Sequence, residues 1–238
     1  MHPPIGTAPN ERIQMLYARA DGASETFYNA ATLKLYNTVV LGISNDHFWR
    51  CPTGVMEAAY TAYAGAQHLD IGPGTGHYLA HLPDRTVDVT LVDANLHSLD
   101  AAAALLAGAG RTHRAVQQSV FDPLPGEFDS ISANYLFHCI DDDAKWDKAT
   151  RTIADALRPH GTFFGATIMP VSRPGLLDAP GRLLNAAYNA VGVFTNENDD
   201  EDRLAAALGA RFDEVQINRR GWVVHFAARQ PRPHRKDQ

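Results

Sequence analysis

Cysteine is scarce in this chain: Cys51 and Cys139 are the two among 238 residues. Two thiols support neither a disulfide framework nor a cysteine-rich zinc site. No apolar run approaches the about 18 residues that a membrane helix needs. The first ten residues, MHPPIGTAPN, lack the charged-then-apolar layout of a signal peptide. A cytoplasmic protein with reduced thiols and no membrane partner is the expectation. Positive charge is not in excess either. With 21 Lys and Arg against 27 Asp and Glu, the net charge is −6, which disfavours a nucleic-acid backbone as the main partner. What remains is an ordinary balance, 45% hydrophobic and 20% charged, with no internal repeat and enough length for a sizeable core.

From residue 66 onward, short apolar runs alternate with helical stretches. AQHLDIG, VDVTLVDA (87–94), RAVQQSV, FDSISANYLF (128–137) and GTFFGATIM (161–169) read as strands. HYLAHL, LHSLDAAAALLAGAG (96–110) and DDDAKWDKATRTIADALRP (141–159) read as helices. Such alternation predicts a mostly parallel sheet with helices on both faces. The run RFDEVQINRRGWVVHFAARQ (211–230) holds two strand-like segments joined by little more than NRRG, too short for a crossover helix, so the sheet should end in an antiparallel hairpin. The expectation is a doubly wound α/β fold with a seven-stranded sheet over 66–230. Residues 1–65 form an N-terminal helical lid, 171–208 a helical insertion, and 231–238 a disordered tail.

The stretch HLDIGPGTGHYLA (68–80) carries the chemistry. A glycine-rich turn after a strand lets backbone approach a nucleotide closely, and the following helix offers unpaired amides. A dinucleotide site wants G-x-G-x-x-G. Here the glycines are Gly72, Gly74 and Gly76, and His77 stands where the third dinucleotide glycine belongs. The central region also lacks the Y-x-x-x-K pair of a nicotinamide-dependent reductase.

In these residues, their order and the reversed final strand, residues 66–230 resemble the class I S-adenosylmethionine-dependent methyltransferases, of the small-molecule type. The resemblance implies S-adenosyl-L-methionine as cofactor. It places Asp70 near the cofactor's amino-acid end, Gly72, Gly74 and Gly76 beneath it, and Asp93, followed by Ala94, on the two ribose hydroxyls. One carboxylate can accept both bonds of a vicinal diol, and charge-assisted bonds are the stronger kind. Relatives commonly carry an aspartate after the third strand to meet the adenine. Here Ser119 and Val120 occupy that place, and Asp122 falls three positions late. Asn134 would lie beside the methionine part. The motif around it, NYLFHCI, is not the N-P-P-Y type used on nucleobase amines.

His138 lies one turn beyond the fourth strand, and an imidazole there could serve an acceptor as general base. In LYNTVVLGISNDHFWRCP (35–52), Tyr36, Trp49 and Arg50 are assigned to the cofactor. Tyr28, Tyr188 and Asn196, with His138, are assigned to the acceptor, and Phe194 is a further candidate. His77 and His81 have i, i+4 spacing but no evident third ligand, so they read as surface histidines and no metal is expected. The resemblance implies methyl transfer to oxygen or nitrogen of a small molecule, such as a secondary metabolite. The alternatives are a methyltransferase acting on RNA or protein, or a non-catalytic S-adenosylmethionine-binding partner protein. A homodimer stays open.

Overall fold

The computed structural model describes residues 45, 47–172 and 175–232. The helical reading of 10–44, with Tyr28 and Tyr36, and residues 233–238 of the tail lie outside them. The elements run α1 (Gly54–Tyr63), β1 (Gln67–Ile71), a 3-10 helix (His77–His81), β2 (Asp88–Asp93) and α2 (Leu96–Gly108). Then follow β3 (His113–Gln117), β4 (Phe128–Asn134), a 3-10 turn (Phe137–Cys139), α3 (Lys145–Ala156) and β5 (Leu157–Ile168). A 3-10 turn (Leu176–Asp178), α4 (Ala179–Ala190), α5 (Glu201–Arg211), β6 (Phe212–Arg220) and β7 (Val223–Pro231) complete the chain.

One seven-stranded sheet has the order β3-β2-β1-β4-β5-β7-β6, parallel from β3 to β5, with β7 antiparallel to both β5 and β6. The order reverses between β1 and β4, where an open α/β sheet forms its ligand crevice at the strands' carboxyl ends. One face is packed by α3 and α5 through Trp146, Ile153, Leu204 and Leu208 over Ile131, Phe163 and Phe212. The other carries α1 and α2 through Met56, Tyr60, Leu99 and Leu106 over Leu91, Phe164 and Ala166. The consecutive Phe163 and Phe164 point to opposite faces, as the period of two requires. Among the described residues no helix is long and apolar enough to cross a membrane.

Several boundaries differ from the sequence reading, for local reasons. The helix expected after the glycines is a single 3-10 stretch, because Pro83 forces Leu82 to extended geometry (ψ 131°). Helix α3 stops at Ala156, and Pro159 lies inside β5 rather than beyond a helix end. The last two strands pair through Arg220 and resume at Val223, so the join is only Gly221–Trp222, with Gly221 at φ 61°. Helix α5 belongs to the layer that covers the sheet and packs on α3. The final strand reaches Pro231, and Arg232 is held by its amide on the Arg211 carbonyl (2.8 Å) and its guanidinium on Asp213 (2.7 Å).

Strand β1 presents His68 and Asp70 to the α1 face, and β4 presents Ser130, Ser132 and Asn134. Their register sets His68 beside Ser130 and Asp70 beside Ser132. Two central, largely buried strands therefore carry a polar stripe on one side, under α1.

Candidate active site

The turn after β1 is built on three left-handed glycines: Gly72 (φ 67°), Gly74 (φ 55°) and Gly76 (φ 77°). A Cβ on Gly72 would stand 2.9 Å from a Leu136 methyl, and one on Gly76 would stand 3.0 Å from the Ala102 Cα. Gly74 is different. Nothing lies within 4 Å of where its Cβ would be, so the middle of the turn lines open space at the carboxyl edge, as a cradle for a ligand must.

Beneath the turn runs a buried polar chain. Tyr60, from α1, donates its hydroxyl to Asp70 Oδ2 at 2.6 Å and accepts from Asn134 Nδ2 at 3.2 Å. Its single proton goes to Asp70, so the Ser132 hydroxyl, 3.3 Å away, donates to Tyr60. His68 then donates from Nε2 to Ser132 (3.2 Å) and accepts at Nδ1 from Ser130 (2.8 Å), which in turn takes the Gly65 amide (2.8 Å). Burial holds His68 neutral, its imidazole lowered to about 3. Every member of the stripe has a partner, which rigidifies the site.

The two carboxyls at this edge are poorly solvated. Burial pushes the Asp70 carboxyl up to about 7 despite the bonds from Tyr60 and Ser132, and Asp93 nearby adds to the rise. Asp93, ending β2, is pushed up to about 6, again by burial, with the Asn95 amide and Ser98 opposing. Two carboxylates with this little solvation are poised for a positively charged partner. Asp93 is not the cap of the next helix: Asn95 takes that position, accepting the His97 amide at 2.9 Å. Asp93 spends one oxygen on the Asn95 amide (2.9 Å). S-adenosylmethionine fits this donor set, bringing an ammonium, a sulfonium and a ribose diol to an acidic edge beside an open glycine turn.

The other expected residues fall into two groups. Ala94 is exposed next to Asp93, and its carbonyl accepts from Gln117 (3.0 Å). Beyond β3, Ser119 and Asp122 close a turn on each other: the Asp122 carboxylate takes the Ser119 amide (3.3 Å) and the Ser119 carbonyl takes the Asp122 amide (3.2 Å). Val120 is buried and its carbonyl accepts from Thr152 (2.7 Å). These residues and Asn134 gather with the glycine turn along the ends of β1 to β4.

Trp49 and Arg50 belong elsewhere. The Trp49 carbonyl takes the Trp222 amide (2.8 Å), and its ring packs on Phe194 (5.8 Å), Trp222 (6.2 Å) and Tyr188 (6.4 Å). Arg50 pairs with Asp178 at 2.9 Å. Trp222 lies beside the end of β5, two strands from β1, or about 10 Å across the sheet. These two side chains therefore sit apart from the glycine turn, engaged with Tyr188, Phe194, Trp222 and Asp178, which differs from the expected cofactor contact. Asn196 differs from expectation as well. It is fully buried, with Nδ2 donating to the Ile168 carbonyl (2.9 Å) and Asn185 (3.0 Å) and Oδ1 accepting from Asn189 (2.9 Å), so it holds loop to helix and has no group left for an acceptor.

His138 is 3% exposed, its ring edge-on to Phe194 at 4.4 Å. Its Nδ1 accepts the Ile168 amide (3.3 Å), so the proton sits on Nε2. Burial, with Lys145 adding, lowers the imidazole to about 3. In this arrangement Nε2 presents a hydrogen-bond donor, which differs from the expected general base. Tyr188 is half-buried on α4. An apolar groove of about 590 Å³ lies along that helix, lined by Phe48, Ala179, Pro180, Leu183, Leu184 and Ala187.

Sequence reasoning passed over Tyr60 and the stripe. The signal was present as polar residues alternating through two buried strands, which demand a partner on one face.

Known proteins were compared with the chain. A family model described as "Methyltransferase domain" matches residues 69–163. The physcion biosynthesis cluster O-methyltransferase of Aspergillus chevalieri is 35% identical over 215 residues, covering 86% of this chain and 94% of that protein. The demethylluteothin O-methyltransferase of Streptomyces thioluteus is 34% identical over 202 residues, covering 82% and 86%. Among solved structures, the N-methyltransferase NodS of Bradyrhizobium japonicum WM9 in complex with S-adenosyl-l-homocysteine shares the fold, with a TM-score of 0.56 and 13% identity, covering 76% of this chain and 85% of that one.

Proposed function

The chain belongs to the class I S-adenosylmethionine-dependent methyltransferases, and from that premise we propose that it methylates a hydroxyl of an apolar small molecule, a phenol or enol of the secondary-metabolite kind. The cofactor supplies an electrophilic methyl group. Asp70, Asp93, Ala94, Ser119, Val120, Asn134 and the glycine turn hold it at the ends of β1 to β4. Trp49, Tyr188, Phe194 and Arg50 line the acceptor end. Oxygen is supported by the O-methyltransferase activity for which both relatives are named, and an apolar acceptor by the aromatic wall and the groove along α4.

The acidity of the acceptor follows from His138. Holding the acceptor and excluding water can contribute about 7–11 kcal/mol without any proton transfer. A phenol or enol is acidic enough to give its proton to solvent water before the site closes, and a neutral His138 with its proton on Nε2 can steady the resulting oxyanion by donation. A weakly acidic alcohol would demand a base that this imidazole is not.

The test is an acceptor screen followed by S-adenosylhomocysteine release and product mass, with phenols, aliphatic alcohols, amines, RNA and protein as separate arms. Turnover of phenols alone, with His138→Gln retaining activity within about tenfold and a pH profile unchanged from the parent, is expected. Turnover confined to amines, RNA or protein would overturn the acceptor class. Loss of the pH profile's acid limb in His138→Gln would restore the base.

A further inference from the structure

Three metal-ligating side chains outside the cofactor edge converge on one point. Glu57, on α1, places Oε1 3.4 Å from Nε2 of His77 and 3.4 Å from Nε2 of His81. The ligand atoms of all three lie within 4.8 Å of one another. Reading His77 and His81 as surface histidines rested on the lack of a third ligand, and the fold supplies it from a different element.

The distances are long for hydrogen bonds and fit the edges of a metal site. A charge-assisted N–H···O bond would close to about 2.7–2.9 Å. Here one carboxylate oxygen stands off from two imidazoles equally, and His77 Nε2 is shut from solvent with no hydrogen-bond partner. A tetrahedral ion with ligand bonds of about 2.05 Å has ligand-to-ligand edges of about 3.3 Å. Both Glu57-to-histidine distances match such an edge. The three side chains are 30–37% exposed, so the cluster lies near the surface, where a water can serve as the fourth ligand. Two imidazoles and a carboxylate suit zinc, whereas magnesium and calcium prefer oxygen alone.

We propose that Glu57, His77 and His81 form a zinc site that clamps α1 to the cofactor turn. His77 directly follows Gly76, the N-cap of the 3-10 helix, and α1 carries Tyr60, the donor to Asp70. The two elements are already stitched once, by Thr61 Oγ1 donating to the His81 carbonyl (3.2 Å). A bound ion would join them a second time, next to the residues that receive the cofactor.

The test uses tag-free full-length protein stripped with chelator, titrated with Co²⁺ and then with Zn²⁺. One equivalent of cobalt should give the intense visible absorption of a four-coordinate site, bleached by zinc. Zinc should raise Tm by several degrees once well above its Kd. In Glu57→Gln and His81→Ala, the affinity should fall at least tenfold and the thermal shift should vanish. Their S-adenosylhomocysteine-induced Tm shift should remain, which separates a lost metal site from a lost fold or a misread cofactor. Weak octahedral cobalt absorption, or equal binding in parent and variants, would overturn the site.

Discussion

Tyr60→Phe removes one oxygen from the centre of the polar stripe, and its cost can be worked out group by group. Asp70 loses a charge-assisted bond at 2.6 Å, a loss of about 1.5–3 kcal/mol. Asn134 and Ser132 each lose the acceptor of a buried donor, at about 1–3 kcal/mol apiece if nothing moves. Ser132 also interacts with Asp70 and can turn to it, which recovers part. The ring itself is kept, with its stacking on Tyr78 and edge contact on Phe164, so no cavity term arises. The net is about 3 kcal/mol, or a fall in Tm of about 6–12 °C for a domain of this size. Thermal unfolding of the ligand-free protein measures it. A second readout is specific to the site. Losing the Tyr60 bond lifts Asp70 further, so S-adenosylhomocysteine binding should weaken near neutral pH and recover at alkaline pH. A Tm within about 1 °C of the parent, on the same scale, would refute the stripe as a coupled network.

Cofactor affinity should rise with pH. Asp70 and Asp93 stand at about 7 and about 6 and must be ionised to receive the cofactor, so the Kd for S-adenosylmethionine should worsen by up to about tenfold per pH unit between those values and by up to about a hundredfold per unit below both, read by calorimetry. The ligand-free protein behaves oppositely for these two groups: raised carboxyls stabilise most at acid pH, and that contribution is lost as pH rises through about 7. The buried neutral His68 and His138, both lowered to about 3, work the other way and lose their contribution as pH falls, so the difference in Tm with and without ligand is the quantity to follow. Lys145 makes a buried pair with Asp199 at 2.8 Å while donating to the Ile140 carbonyl. Lys145→Ala removes the ion-pair partner of the buried Asp199, whose carboxyl burial already raises, and should cost up to about 3–5 kcal/mol, whereas the double variant with Asp199→Ala should recover part of the lost Tm.

The alternation of strands and helices, the reversed hairpin and the glycine turn were legible without coordinates because each depends on local periodicity or on a motif whose chemistry is carried by adjacent residues. The same holds for Asp93, which ends a strand at fixed spacing from the turn. What failed was local termination and lateral placement. Pro83 cut the expected helix to one 3-10 stretch, and α5 proved part of the layer over the sheet.

Side-chain roles divide along the same line. Patterns of a few residues were enough for the doubly wound fold, the glycine turn and the acids that end β1 and β2. Packing settled that Tyr60 meets Asp70, that Trp49 and Arg50 sit two strands away from the turn, that His138 accepts the Ile168 amide, and that Glu57 stands beside both His77 and His81. Each of those outcomes joins elements distant in the chain. Burial and approach between such elements, which set both pKa and ligand geometry, are properties of the packed molecule.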